Sequence, residues 1–111
     1  MSFEEFVAYY RDQHGPLVNS LMKGKGLISY EQFPVDPSIA QGPYLSPEGP
    51  AFDAVSIFSF ESQKDCEECW AIPEVVEDTA KCMDVETMIV LAIERRTVFP
   101  ATPGDVGPAG G

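Results

Sequence analysis

Phe3, Val7, Tyr10, Leu17 and Leu21 are apolar or aromatic, and with His14 among them the steps run four, three, four, three and four. That spacing predicts a helix over residues 3–22 with one continuous inward face. Glu4, Glu5, Arg11 and Asp12 fall off the face. Ser2 and Glu5 form an S-x-x-E capping box, so the helix begins within the first three residues. Pro16 removes a backbone donor and crowds the preceding turn, which predicts a kink or restart near Gly15-Pro16. Lys23-Gly24-Lys25-Gly26 ends the helix, with cations in the last turn and glycines free to take left-handed angles.

Residues 27–33 read as a strand, with Ile28 and Tyr30 on one face and Ser29 and Glu31 on the other. Pro34 stops it, and the proline-rich residues 34–50 form a long connection. Tyr44 and Leu45 are its sizeable apolar residues near the middle, either plugging a pocket mouth or lying on the surface. Residues 52–60 are the clearest strand, with Ala54, Phe58 and Phe60 pointing one way and Val55 and Ile57 the other. Ser62-Gln63-Lys64-Asp65 starts a helix through Cys66, Cys69 and Trp70. Pro73 fits the first turn of its continuation through Val75, Val76, Thr79, Ala80 and Met83. Residues 87–99 read as the last strand, with Met88, Val90 and Ala92 opposite Ile89, Leu91 and Ile93. A sheet with helices on one side and water on the other should alternate apolar and polar. The last two strands are apolar on both faces, so a second copy of the sheet is expected as the cover, in a two-fold dimer. Residues 1–99 form one α+β domain, and residues 100–111, rich in Pro, Gly and Ala, spell a disordered tail.

The string Phe6-x-x-Tyr9-Tyr10-x-x-x-His14-x-Pro16-Leu17, then Gly26-Leu27-x-x-Tyr30, resembles the signature of EthD-domain proteins. Phe52-Asp53-Ala54 is similar to a Tyr-Asp-Gly strand start of that family. The resemblance implies a ferredoxin-like protomer of a dimeric α+β barrel. It departs in one respect: the family pattern begins with a strand in the middle of the sheet, and a capping box at Ser2 leaves no room for it. Either the chain begins at an internal methionine of a longer protein, or the fold closes differently. In the second case residues 52–60 and 87–99 could pair directly as a parallel right-handed unit.

A net charge of −11 disfavours nucleic acid and anionic membrane surfaces as partners. No apolar run approaches the ~20 residues that span a bilayer, and no secretory signal opens the chain. Three cysteines without framework spacing fit a reducing, cytoplasmic setting. Cys66-Glu67-Glu68-Cys69 is formally a C-x-x-C, but only Cys82 and His14 remain as zinc ligands, so helix cysteines are expected rather than a metal site.

His14 is the lone histidine and the best candidate for chemistry, since an imidazole takes or gives a proton near neutral pH. It could equally bond a backbone carbonyl and pack against the sheet. The resemblance makes it a pocket residue, with Tyr9, Tyr10 and Tyr30 as phenols for an aromatic ligand, and Asp53 at a strand head where it could orient His14. Phe58 and Trp70 would make an apolar pocket wall or simply core. The sequence has no Gly-rich phosphate loop, Ser nucleophile elbow or metal motif, so no cofactor is expected. The resemblance implies a lyase or isomerase acting on an aromatic polyketide or lactone-like molecule. The other reading is a non-catalytic component of an oxidative, ether- or aromatic-degrading pathway, from which the family's oxidoreductase association comes.

Overall fold

The computed structural model describes residues 1–36 and 52–99. Tyr44, Leu45 and residues 100–111 lie outside the described residues.

A single helical rod opens the chain. It comprises α1 (Phe3–Tyr9), a π-helical turn (Tyr10–His14) and α2 (Gly15–Met22). Ser2 caps it reciprocally with Glu5, each side chain accepting from the other's backbone N–H at 3.1 Å. The disturbance expected at Pro16 is the π turn. Pro16 has no N–H to close an ordinary turn, and the N–H of Gly15 reaches back five residues to the Tyr10 carbonyl.

The π turn also changes which residues face inward. The buried stripe is Phe6, Tyr10, His14, Val18 and Met22, and Val7, Leu17 and Leu21 are only half-buried. Residues four apart drift by about 40° per step around an α-helix, or about 160° across this stripe. The extra residue of the π turn takes back about 100°, so all five stay on one side. The three-four alternation read from the sequence allowed for a kink or restart near Gly15-Pro16 but not for a widened turn ahead of it.

Lys23 to Gly26 then reverse the chain, with Gly24 at φ 77° and Gly26 at φ 92°. Strand β1 (Leu27–Pro34) pairs antiparallel with β2 (Ala54–Phe60), Tyr30 opposite Phe58 and Gln32 opposite Ser56. Between Leu27 and Ser29 the register slips. That bulge puts Leu27 and Tyr30 in the core and leaves Ile28 63% exposed, so Ile28 and Tyr30 do not share a face as strict alternation predicted. Pro34 closes the strand from within its last pair instead of preceding its end.

Ser62 caps α3 (Gln63–Trp70), its hydroxyl accepting from the Asp65 N–H at 3.1 Å. Helix α4 (Pro73–Cys82) is separate and does not continue α3. Ile72, forced extended before Pro73 (ψ 122°), breaks the run. Val18, Met22, Cys69 and Val75 form one core with Tyr30, Phe58, Phe60 and Trp70 packed against it. Phe6, Tyr10 and Cys82 form a second, with Tyr9, Ala54 and Met83 around it.

The fold is thus α+β, with helices on one face of a two-stranded antiparallel sheet, compatible with a ferredoxin-like protomer short of a central strand. Residues 87–99 are not a strand here. Leu91 is 73% exposed, and among the described residues neither the parallel pairing with β2 that a differently closed fold would allow nor any other ladder forms. A strand is held by its neighbour's N–H and C=O groups, and the central strand that would flank this segment is missing from the described residues. No helix among the described residues is long and apolar enough to cross a membrane.

Candidate functional site

The π turn delivers His14 to the inner side of the rod, where it is 1% exposed. Its Nδ1–H donates to Asp78 Oδ2 at 2.7 Å. The other carboxylate oxygen, Oδ1, accepts from the Tyr9 hydroxyl at 2.5 Å. Asp78 lies mid-helix in α4 and is 4% exposed, so these two donors are its replacement for water.

Burial pushes the Asp78 carboxyl up, but the hydrogen bonds from Tyr9 and His14 and the imidazole's charge outweigh it. The carboxyl ends below its ordinary range. It is therefore a carboxylate at neutral pH and can only accept, so the shared proton sits on His14 Nδ1. That fixes the tautomer and leaves Nε2 as the nitrogen able to take or give a proton. The Tyr9 phenol is pushed up to about 12, chiefly because its proton is held by Asp78.

Tyr10 stacks between Phe6, at 5.2 Å between ring centroids, and His14, at 6.3 Å. Its hydroxyl contacts Ser56 Oγ at 2.5 Å and donates to the Val55 carbonyl at 3.3 Å. Burial raises its pKa. Tyr10 thus ties the rod to β2.

Tyr30 stacks on Phe58 at 4.2 Å, and Trp70 meets Phe58 edge-on at 4.8 Å. Phe58 and Trp70 are half-buried and pack against the core. Burial pushes the Tyr30 phenol up to about 12. Tyr30 also lines an open cleft of about 330 Å³ with Arg11, Gly15, Pro16, Asn19 and Gln32. It is the one expected ligand-binding residue among the cleft's walls, and His14 is not among them. Asp53 is exposed at the entry to β2, where its carbonyl accepts from the Val35 N–H.

Asp78 is the partner of His14, and the sequence reading did not single it out. A signal existed: Val75, Asp78, Thr79 and Cys82 fall at i, i+3, i+4 and i+7, which puts one carboxylate into the apolar stripe of a helix. A charge placed there needs a buried partner.

The donor atoms of His14, Asp78 and Cys82 all lie within 4.8 Å of one another, a mixed N, O, S set of the kind a soft divalent cation accepts. The geometry is that of a hydrogen-bonded cluster. His14 and Asp78 already share a proton at 2.7 Å, and the Cys82 thiol donates to the Asp78 carbonyl at 3.6 Å. Burial and the neighbouring Asp78 push that thiol up to about 11, away from the thiolate a metal needs. Cys66 and Cys69 are both free, with the buried Cys69 thiol donating to the Lys25 carbonyl at 3.5 Å.

No curated protein and no solved structure matches the chain. The family model described as EthD domain matches residues 1–88, which span the π turn, His14, both strands and the helix carrying Asp78. The chain belongs to the EthD-domain family.

Proposed function

We propose that this EthD-domain protein is an acid–base enzyme, a lyase or isomerase that needs no cofactor and acts on a small aromatic polyketide or lactone-like molecule. The observation that carries the reading is the Tyr9–Asp78–His14 chain, with Asp78 and His14 buried. A carboxylate that fixes an imidazole's tautomer and orientation is what general acid–base catalysis requires. In this reading His14 Nε2 moves the proton, Asp78 is a positioning residue, and Tyr9 holds Asp78. Loss of carbon dioxide or water from a β-keto acid or an electron-rich phenol needs one such group and a site that excludes water.

A second reading has its own support. His14 is 1% exposed and is absent from the walls of the cleft beside it. A non-catalytic, ligand-holding component of an oxidative pathway would use that cleft and leave the imidazole as structure.

The His14→Gln variant separates the two. With a panel of aromatic β-keto acids and lactones, the enzyme reading expects kcat to fall by about 10²–10⁴-fold with ligand affinity kept. Turnover equal to wild type overturns it.

The protein is further proposed to work as a homodimer. Ile28, Phe33 and Val55 are exposed on the strands, and Val90, Leu91 and Ile93 are exposed in the segment after α4. Exposed apolar side chains in this number favour burial against a copy of the same chain. Sedimentation of the full chain as a monomer at high concentration refutes this part.

A further inference from the structure

Tyr9 and His14 are five residues apart, yet both bond the same carboxylate, at Oδ1 and Oδ2. In an α-helix, positions five apart lie about 140° from each other around the axis. They cannot both face one group on a neighbouring helix. With one residue inserted, the pair is spaced like positions four apart in an α-helix, about 40° from each other. The π turn is therefore what allows two side chains of the rod to hold Asp78.

Three features keep the turn open. Pro16 offers no N–H for the ordinary turn. The Gly15 N–H closes the longer ring onto the Tyr10 carbonyl. That same carbonyl also accepts from Gln32 Nε2 at 2.7 Å, and the second hydrogen of the Gln32 amide goes to the Tyr30 hydroxyl at 2.8 Å. Gln32 reaches the rod because residue 15 is glycine: a Cβ there would lie 2.7 Å from Gln32 Nε2 and 3.2 Å from the Tyr10 carbonyl oxygen. Glycine is used here for close approach, since its φ of −57° suits any residue.

We propose that Gln32, on β1, is the positioning residue of the site: its amide, passing over Gly15, clamps the π turn in the register that puts His14 and Tyr9 together on Asp78. The inference rests on reading His14 as the working group, but its test does not depend on turnover. His14 is the only histidine. Its Nδ1 proton, held by a buried carboxylate, gives one assignable low-field NMR signal.

In the full chain, Gln32→Met keeps the bulk and removes the amide. Circular dichroism checks that each variant is folded. The expected result is loss or upfield movement of the Nδ1 signal, with solvent exchange faster by about tenfold, the factor set by one hydrogen bond of typical net worth. Gly15→Ala should produce the same change by pushing the amide away. The double variant should be no worse than either single one, because both act through one contact. If Gln32→Met does not fold, Gly15→Ala carries the test alone. A folded variant whose Nδ1 signal and exchange match wild type overturns the proposal. An altered signal with unaltered turnover would support the clamp while removing His14 from catalysis, so the two readings fail separately.

Discussion

Replacing Asp78 with asparagine keeps the shape of the site and removes its charge. In the wild type two donors converge on the carboxylate, His14 Nδ1–H at 2.7 Å and the Tyr9 hydroxyl at 2.5 Å. Hydrogen bonds to a charged acceptor contribute about 1 kcal/mol more than neutral ones. Asparagine can still accept from one donor and donate to the phenol oxygen, so the bonds weaken without vanishing. Two weakened bonds give a loss of about 2 kcal/mol. The opposing effect is relief of the charge's desolvation. The carboxyl's lowered pKa decides the sign, since attraction has already outweighed burial in the wild type.

The same shift sets the pH window. A carboxyl whose folded pKa lies below its unfolded value, about 3.9, stabilises fully above that value. The contribution is lost as pH falls through the folded pKa. Urea unfolding of wild type and Asp78→Asn, followed by circular dichroism between pH 7 and pH 3, should give a gap of about 2 kcal/mol that narrows below about pH 4. A gap under about 0.5 kcal/mol at pH 7, which is the scatter of ordinary surface substitutions, refutes the account of the buried carboxylate. So does a gap that persists unchanged into acid.

Tyr9→Phe should remove one late step from the alkaline absorbance titration of the tyrosines, because the Tyr9 phenol is pushed up to about 12 by its bond to Asp78. A raised phenol pKa stabilises below its ordinary value near 10 and is lost as pH rises through about 12, so the wild type's advantage over this variant should disappear in that interval. Thr79 Oγ1 is buried without a hydrogen-bond partner among the described residues. Thr79→Val keeps its shape and should stabilise by about 1 kcal/mol, raising Tm by about 4–8 °C in a calorimetric scan. Gly26→Ala meets two obstacles, a φ of 92° and the Asp65 side chain, which the new Cβ would overlap. It should cost about 1–3 kcal/mol in chemical denaturation.

What was legible in the sequence was what neighbouring residues decide among themselves. The Ser2–Glu5 box, the helix start at Ser62, the left-handed Gly24 and Gly26 and the place of Pro73 in a first turn are all set within a turn or two of chain, although the break between α3 and α4 was read as a continuation. His14 was placed on the inner face because even an approximate stripe includes it. The phase of that stripe was not legible. Pro16 announced a disturbance, but whether a helix kinks or widens depends on what stands opposite, here the Gln32 amide. The bulge at Ile28 is likewise fixed by the β1–β2 pairing, which no run of residues 27–33 encodes by itself. Asp78 stayed hidden because its partner is 64 positions away. Residues 87–99 carry a strand's pattern, yet a pattern makes a ladder only where another strand is within hydrogen-bonding reach.

The irregular features of the described residues cluster. Elsewhere, the bulge near Ile28 apart, the local rules hold: Ser2 and Ser62 cap their helices, a proline sits in the first turn of α4, and the two left-handed residues are both glycine. Around His14 they are broken together. The rod gives up ordinary α-helical hydrogen bonds for a π turn, and a carboxylate is set among the apolar residues of α4. An imidazole is buried against it, and a hydroxyl one residue along is left without a partner among the described residues. Replacing a buried ion pair with packed apolar side chains is often neutral or stabilising. A sequence shaped for stability alone therefore gains nothing by keeping Asp78, His14 and the widened turn in one place. Departures from local consistency concentrate where a protein needs a geometry that folding by itself does not supply. The geometry obtained here is one imidazole held by one carboxylate, and that concentration is what supports the proposed role of His14 over one for the cleft along Arg11, Pro16 and Asn19.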